Sequence, residues 1–268
     1  MPRQPEALLC IDIDGTLIDS HEKVHPTDIR VLRDFPPEIQ PVLTTGRILH
    51  SAKGVLRANG LFSEPRLPLP GVFLNGGAAY LPNEMLCFEQ VFSPDTRLAL
   101  IKLAGVFPQT AFTFFGLSEV HLVNPTPFAR CVSKLHYLNA REVPYYELPD
   151  RVFNVMVLEE DPELLKAIEA AVKGWDAEMA FSLPYAYEIN PPGITKAQTL
   201  LALLKAMRLD HLPIYTVGDA ENDLSLFQIA KKTFAPATAQ QIVIAQTDSV
   251  ISRKKNGLLA PILSQIFR

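Results

Sequence analysis

Cysteine is scarce in this 268-residue chain, with three in all. Cys10, Cys87 and Cys131 are far apart, odd in number and form no CxxC pair, which argues against a disulfide framework and a sulfur-rich zinc site. Cys10 lies in an apolar run and reads as a small core residue. Basic clusters are lacking too. The densest run is RKK at 253–255 and the net charge is −4, so there is no electrostatic footprint for nucleic acid or a membrane surface. No segment approaches the roughly 20 apolar residues that cross a bilayer. MPRQPEALLCIDID holds no apolar stretch long enough for a signal peptide. Internal repeats and low-complexity tracts are absent. The expectation is a soluble protein of a reducing cytoplasm.

What is present describes a folded chain. Hydrophobic residues make up 48% and charged residues 20%, ordinary values for a globular protein. Proline is abundant, at 23 of 268 residues, about 9% against a usual ~5%. It clusters at 36–41, 65–70, 125–127 and 191–192, punctuating the chain rather than forming a linker. LLCI (8–11), PVLTT (41–45) and GVFLN (71–75) are short apolar runs, as expected for strands covered on both faces, and the stretch from Thr27 to Phe35 has helical spacing. This alternation predicts a parallel sheet with crossover helices.

After Tyr80 the character changes. MLCFEQVF, TAFTFFG, EVHLVN, RVFNVMVLEE and AFSLPYAYEIN read as neighbouring strands, with helices at PDTRLALIKLAGVF and DPELLKAIEAAVKGW. In the second helix Asp161 is a natural N-cap, Pro162 fits the first turn and Gly174 lies near the end. From Thr195 the first rhythm returns: KAQTLLALLKAM and NDLSLFQIAKK as helices, LPIYTVG, TFA and DSVIS as strands. The predicted fold is α/β, a Rossmann-like doubly wound parallel sheet core (1–80 and 190–268) with an inserted α+β cap domain (81–189).

In an open parallel sheet, ligands sit beyond the carboxyl ends of the strands. The first core strand ends in Asp12 and Asp14. The second ends in Thr44, Thr45, Gly46 and Arg47, and the strand IYTV ends in GDAEND, with Asp219, Asn222 and Asp223. Lys196 opens the helix after the insert. Each stretch alone has a plain explanation: a polar turn, a helix cap, a solvated lysine. Together they bring carboxylates, a hydroxyl and an ammonium to one edge. Carboxylate oxygens suit a small hard cation such as Mg²⁺. Hydroxyl, amide and lysine donors suit a phosphoryl group. A cation would also offset the repulsion between closely spaced carboxylates.

DIDGTLID, LTTGR, the lysine in EINPPGITKAQ and GDAENDLSLF resemble, in order, the four motifs of the haloacid dehalogenase superfamily of phosphohydrolases. LNGG and the size and position of the insert are similar to the Cof-type, type IIB branch. LNGG itself departs from the Asn-Gly-Ala more usual there, and FAPATAQ (234–240) stands where related chains often carry a glycine-asparagine pair. The resemblance implies Asp12 as nucleophile, through an aspartyl-phosphate intermediate, and Asp14 as general acid and base. Mg²⁺ would be held by Asp12, Asp14 (through its carbonyl), Asp219 and Asp223. Thr45, Gly46, Lys196 and Asn222 would hold phosphate, with Arg47 and Asn75 as substrate-binding or loop-ordering groups. The implied substrate is a small phosphate ester, with a sugar phosphate the natural choice. Oligomeric state stays open.

HEKVH (21–25) is a literal H-E-x-x-H. A zinc site needs both histidines on one helical face, but Pro26 biases His25 away from helical geometry. The expectation is a solvated loop. Phe112, Phe114, Phe115, Tyr185 and Tyr187 could line a substrate pocket, although aromatics at strand spacing ordinarily belong to a core. Two rival readings use a similar residue set, a phosphosugar mutase and a phospho-accepting signalling domain. The latter has no use for so large an insert.

Overall fold

The computed structural model describes residues 4–267. The strands are β1 (Ala7–Ile11), β2 (Ile39–Thr44), β3 (Gly71–Phe73), β4 (Ala78–Leu81), β5 (Met85–Glu89), β6 (Ala111–Phe115) and β7 (Val120–Val123), then β8 (Arg141–Glu142), β9 (Asn154–Leu158), β10 (Glu178–Leu183), β11 (Ala186–Asn190), β12 (Ile214–Val217), β13 (Lys232–Pro236) and β14 (Ser249–Ile251). The helices are α1 (Pro26–Arg33), α2 (Leu49–Ala58), α3 (Pro94–Val106), α4 (Pro127–Leu135) and α5 (Pro162–Val172), then α6 (Lys196–Met207), α7 (Leu224–Phe227), α8 (Gln241–Ile244), α9 (Arg253–Asn256) and α10 (Leu259–Ile266).

One sheet has the order β14-β13-β12-β1-β2-β3-β4-β5. It is parallel from β14 to β3, and antiparallel where β4 and β5 are added. β1 is buried along its whole length and its side chains alternate between two layers. Leu9 and Ile11 pack with Leu32 of α1, Val55 and Leu56 of α2 and Ile262 of α10. Leu8 and Cys10 pack with Leu200, Leu203 and Leu204 of α6. Helices on both faces explain why β1 reads as an unbroken apolar run. Buried Asp28 of α1 accepts the amides of Leu258 (2.9 Å) and Leu259 (2.8 Å), closing the start of α10 onto α1.

The second sheet has the order β10-β11-β9-β6-β7-β8, antiparallel except between β7 and β8. Phe112, Phe114, Val155, Val157 and Tyr187 face α3 and α5 on one side. On the other side Ala111, Leu122, Leu158 and Ala186 meet Ala129 and Val132 of α4. The fold is the expected α/β core with an inserted α+β cap. MLCFEQVF is a correction: as β5 it pairs with β4 and extends the large sheet to residue 89, so the crossing to the second sheet falls after it rather than at residue 81. NDLSLFQIAKK is a second correction, since only one short turn (Glu221–Asp223) and the four-residue α7 are helical there. Among the described residues no helix is long and apolar enough to cross a membrane.

Candidate active site

The large sheet's direction of winding reverses at β1, with β2 on one side and β12 on the other, and the chemistry gathers beyond their carboxyl ends. Asp12 follows β1 in the same alternation as Leu8 and Cys10, which turns it towards α6. There Lys196, the first residue of α6, is 1% exposed and donates to Asp12 Oδ1 (2.9 Å) and Asp223 Oδ1 (2.8 Å). Thr195 caps this helix by accepting from the Gln198 amide. An ammonium at the positive end of a helix dipole is disfavoured, and two carboxylates offset that cost. Burial works to lower the Lys196 pKa, but the charges of Asp12 and Asp223 hold it above the usual lysine range.

Asp223 also accepts from the amides of Asp219 (3.0 Å) and Ala220 (3.3 Å), so it shapes the loop that presents Asp219. Thr16 donates to Asp219 Oδ1 at 3.0 Å. Gly15 has φ +69°, and a Cβ there would overlap the Asp219 carboxylate, so only glycine serves at this point. Carboxylate oxygens of Asp12, Asp219 and Asp223 lie within 4.8 Å of one another. Burial pushes the Asp12 carboxyl well above the usual range, and burial with the Asp223 charge pushes Asp219 up to about 7. Three acids share one ammonium. A donor set of hard oxygens short of positive charge fits a divalent cation such as Mg²⁺.

Asp14 points the other way. Its side chain is 41% exposed and faces Arg47, which donates from Nε to Oδ2 (2.8 Å) and from Nη2 to Oδ1 (2.6 Å). Desolvation works to raise the Asp14 pKa, but the Arg47 charge prevails and lowers it. Arg47 Nη2 also donates to Glu22 Oε1 at 2.7 Å. Glu22 is the second residue of HEKVH, and its side chain is 12% exposed rather than solvated. The two histidines of that stretch do not converge: His21 is exposed, and His25 Nδ1 caps α1 by accepting from the Thr27 amide. His136, just after α4, completes this second group, with Nδ1 3.3 Å from Arg47 Nη2. Asp14, Glu22 and His136 also cluster within 4.8 Å, but the Arg47 guanidinium already pairs with both acids.

Thr45 Oγ1 accepts from the Arg47 amide (3.1 Å), and the Asn75 amide donates to the Thr45 carbonyl (3.2 Å). Gly46 lies against the Asn75 carboxamide, where a Cβ would crowd it. Asn75 has φ +53°, Asn222 Nδ2 donates to its Oδ1 (3.0 Å), and its own Nδ2 donates to Glu188. Asn154 Nδ2 reaches both Glu188 Oε2 (3.1 Å) and Asn190 Oδ1 (2.8 Å), joining β9 and β11 to the loops that carry Asn75 and Asn222. Glu188 and Asn190 thus belong to a buried network. Of the aromatics, Phe112, Phe114 and Tyr187 sit in the core under α3 and α5, and Phe115 is buried in the other core. Tyr185 is the exception, close enough to Asp14 that, after burial, its charge helps to raise the phenol's pKa.

A family model for haloacid dehalogenase-like hydrolases matches residues 9–262. The chain belongs to this family. It is 23% identical to a phosphoglycolate phosphatase of Methanothermobacter thermautotrophicus, over 91% of this chain and 91% of that protein. The fold is similar to a haloacid dehalogenase-like hydrolase from Bacteroides thetaiotaomicron (TM-score 0.79, 22% identity, 97% of this chain and 99% of that one). It is equally similar to a haloacid dehalogenase subclass IIB sugar phosphatase (TM-score 0.80, 17% identity, 98% of this chain and 100% of that one). At such identities these two likenesses are of fold. Membership in this hydrolase family sets aside the signalling-domain reading. Glu22, His136 and Thr16 are site residues that the motifs did not single out.

Proposed function

We propose that this haloacid dehalogenase-like hydrolase is a Mg²⁺-dependent phosphomonoester hydrolase of the cytoplasm, acting on a small phosphorylated metabolite, a sugar phosphate in the first instance. The observation that carries the reading is the buried Lys196 held between Asp12 and Asp223. Lys196 engages Asp12 Oδ1, which leaves Oδ2 as the atom that attacks phosphorus and forms an aspartyl-phosphate. Lys196 and the Thr45 hydroxyl are placed to hold phosphoryl oxygens as charge redistributes, with the Gly46 amide beside them. Asp12, Asp219, Asp223 and the Asp14 carbonyl would hold the cation, which supplies charge neutralisation for an anionic ester.

Asp14 would protonate the leaving alkoxide and then take a proton from the attacking water. Its pairing with Arg47 favours the carboxylate, so this pairing opposes the first step and assists the second. A bound phosphate ester carries negative charge of its own and competes with Asp14 for Arg47, freeing a carboxyl oxygen for the proton. The cap covers the site and excludes water from the intermediate until the alcohol departs.

The relatives named as phosphoglycolate and sugar phosphatases support a small phosphate ester as substrate. Free Cys10, Cys87 and Cys131 are in keeping with a reducing compartment. The test is phosphate release from a panel of phosphorylated metabolites, with Mg²⁺ and with chelator. Asp12→Asn is expected to lower turnover by at least about a thousandfold, as loss of a nucleophile does. Near-normal release from that variant, or an isomerised sugar phosphate without free phosphate, would overturn the reading.

A further inference from the structure

Two of the cap's contacts with the floor flank the site. One is the Asn75–Glu188–Asn154 network at the crossing strands. The other lies across the site, where residues 136–138 dock on α2. The His136 carbonyl accepts from Ser51 Oγ and from Arg47 Nη1 (3.3 Å). His50 Nε2 lies 2.9 Å from the Leu138 carbonyl, and Gly54 leaves room for the Tyr137 ring, which its own Cβ would crowd. Three successive cap residues are therefore fixed to one core helix, and the first of them carries an imidazole beside Asp14.

The ring's two nitrogens are not equivalent. Arg47 can only donate, so Nδ1, 3.3 Å from Arg47 Nη2, accepts, and the hydrogen of a neutral ring sits on Nε2. Glu22 Oε1 is 3.5 Å from the same Nδ1, and Asp14 is the other acid in reach. Burial, then the Arg47 charge, holds the imidazole below its usual pKa despite these two carboxylates, in keeping with the neutral form. Nε2 is buried and has no partner among the described residues. A buried donor left without an acceptor is unfavourable, and a ligand that supplies one removes that cost. Tyr185 is a second cap group within electrostatic reach of Asp14.

We infer that His136 is a specificity-determining residue, whose Nε2–H donates to a hydroxyl oxygen on the leaving group and so selects phosphate esters of polyhydroxylated alcohols. The inference rests on the phosphatase reading of the site and adds the side chain that recognises the alcohol's other hydroxyls. His136 reads the alcohol; Asp14 remains the proton donor to the bridging oxygen.

The test compares wild type, His136→Leu and His136→Gln on glycerol phosphate and a hexose phosphate, against phenyl phosphate, whose leaving group has no hydroxyl besides the one released. Glutamine places an amide N–H near the position of Nε2. We expect His136→Leu to lower kcat/KM for the hydroxylated esters about tenfold more than for phenyl phosphate, with the difference mainly in KM. His136→Gln should recover most of the loss. Equal losses on all three esters, or no loss on any, would overturn the inference while leaving the phosphatase reading intact. Failure of the wild type to release phosphate from any ester would remove the phosphatase reading and this inference with it.

Discussion

Lys196 shows how much a single side chain can settle. It is buried, two acids hold it, and those acids come from opposite ends of the chain, Asp12 after β1 and Asp223 after β12. Removing one partner of a buried ion pair leaves uncompensated charge, a cost of about 3–5 kcal/mol. Lys196→Met, close in volume, is therefore expected to lose that order of stability in chelator, read by denaturant unfolding, and to abolish turnover. Unchanged stability would mean the acids do not need the ammonium. Asp12, Asp14, Lys196 and Asp219 were legible because each ends or begins an element with a recognisable period. Glu22 was not: its motif suggested a metal site that Pro26 ruled against, and nothing in HEKVH announces an arginine 25 residues later. His136 was hidden for another reason, since no spacing rule connects the end of a cap helix to a core loop.

At the scale of elements, the strands of the parallel sheet were easiest to read because burial on both faces leaves unbroken apolar runs. β5 was misassigned to the insert because an edge strand with Met85 and Leu86 exposed has the composition of either sheet, and only its pairing with β4 decides. α7 was over-read as a long helix because the loop around Asp223 uses its acids to hold backbone amides rather than to start a helix. The elements that carry the cap are coupled to the floor through Glu188, which meets Asn75 on one side and Asn154 on the other. Glu188→Ala should loosen that coupling. In calorimetry we expect the cap to melt ahead of the core in the variant where the parent gives one transition, and KM to rise more than kcat falls. A variant that still melts as one unit would assign the coupling to the α2 contact instead.

For the whole molecule, the acids of the floor make stability depend on pH and cation together. Asp219 has its pKa raised from 3.8 to about 7, by burial and then by the Asp223 charge. A carboxyl raised on folding stabilises fully while protonated, below its unfolded value, and that contribution is lost as pH climbs through the folded value. In chelator, this group therefore weakens the fold between about pH 4 and 7. A divalent cation binds the ionised form and reverses the loss. The gain in Tm on adding Mg²⁺ should widen between about pH 5.5 and 8, and Asp219→Asn should flatten that dependence. A gain independent of pH in the parent protein would count against Asp219 as a ligand.

Where the chain leaves the large sheet and where it comes back are neighbours: Gln90 Nε2 donates to the Pro192 carbonyl at 3.1 Å. Everything between those two residues hangs from one gatepost. Among the described residues no strand of the floor's sheet pairs with a strand of the cap's. Lids of other outlines, fitted to other alcohols, could be exchanged at that post without recutting the floor.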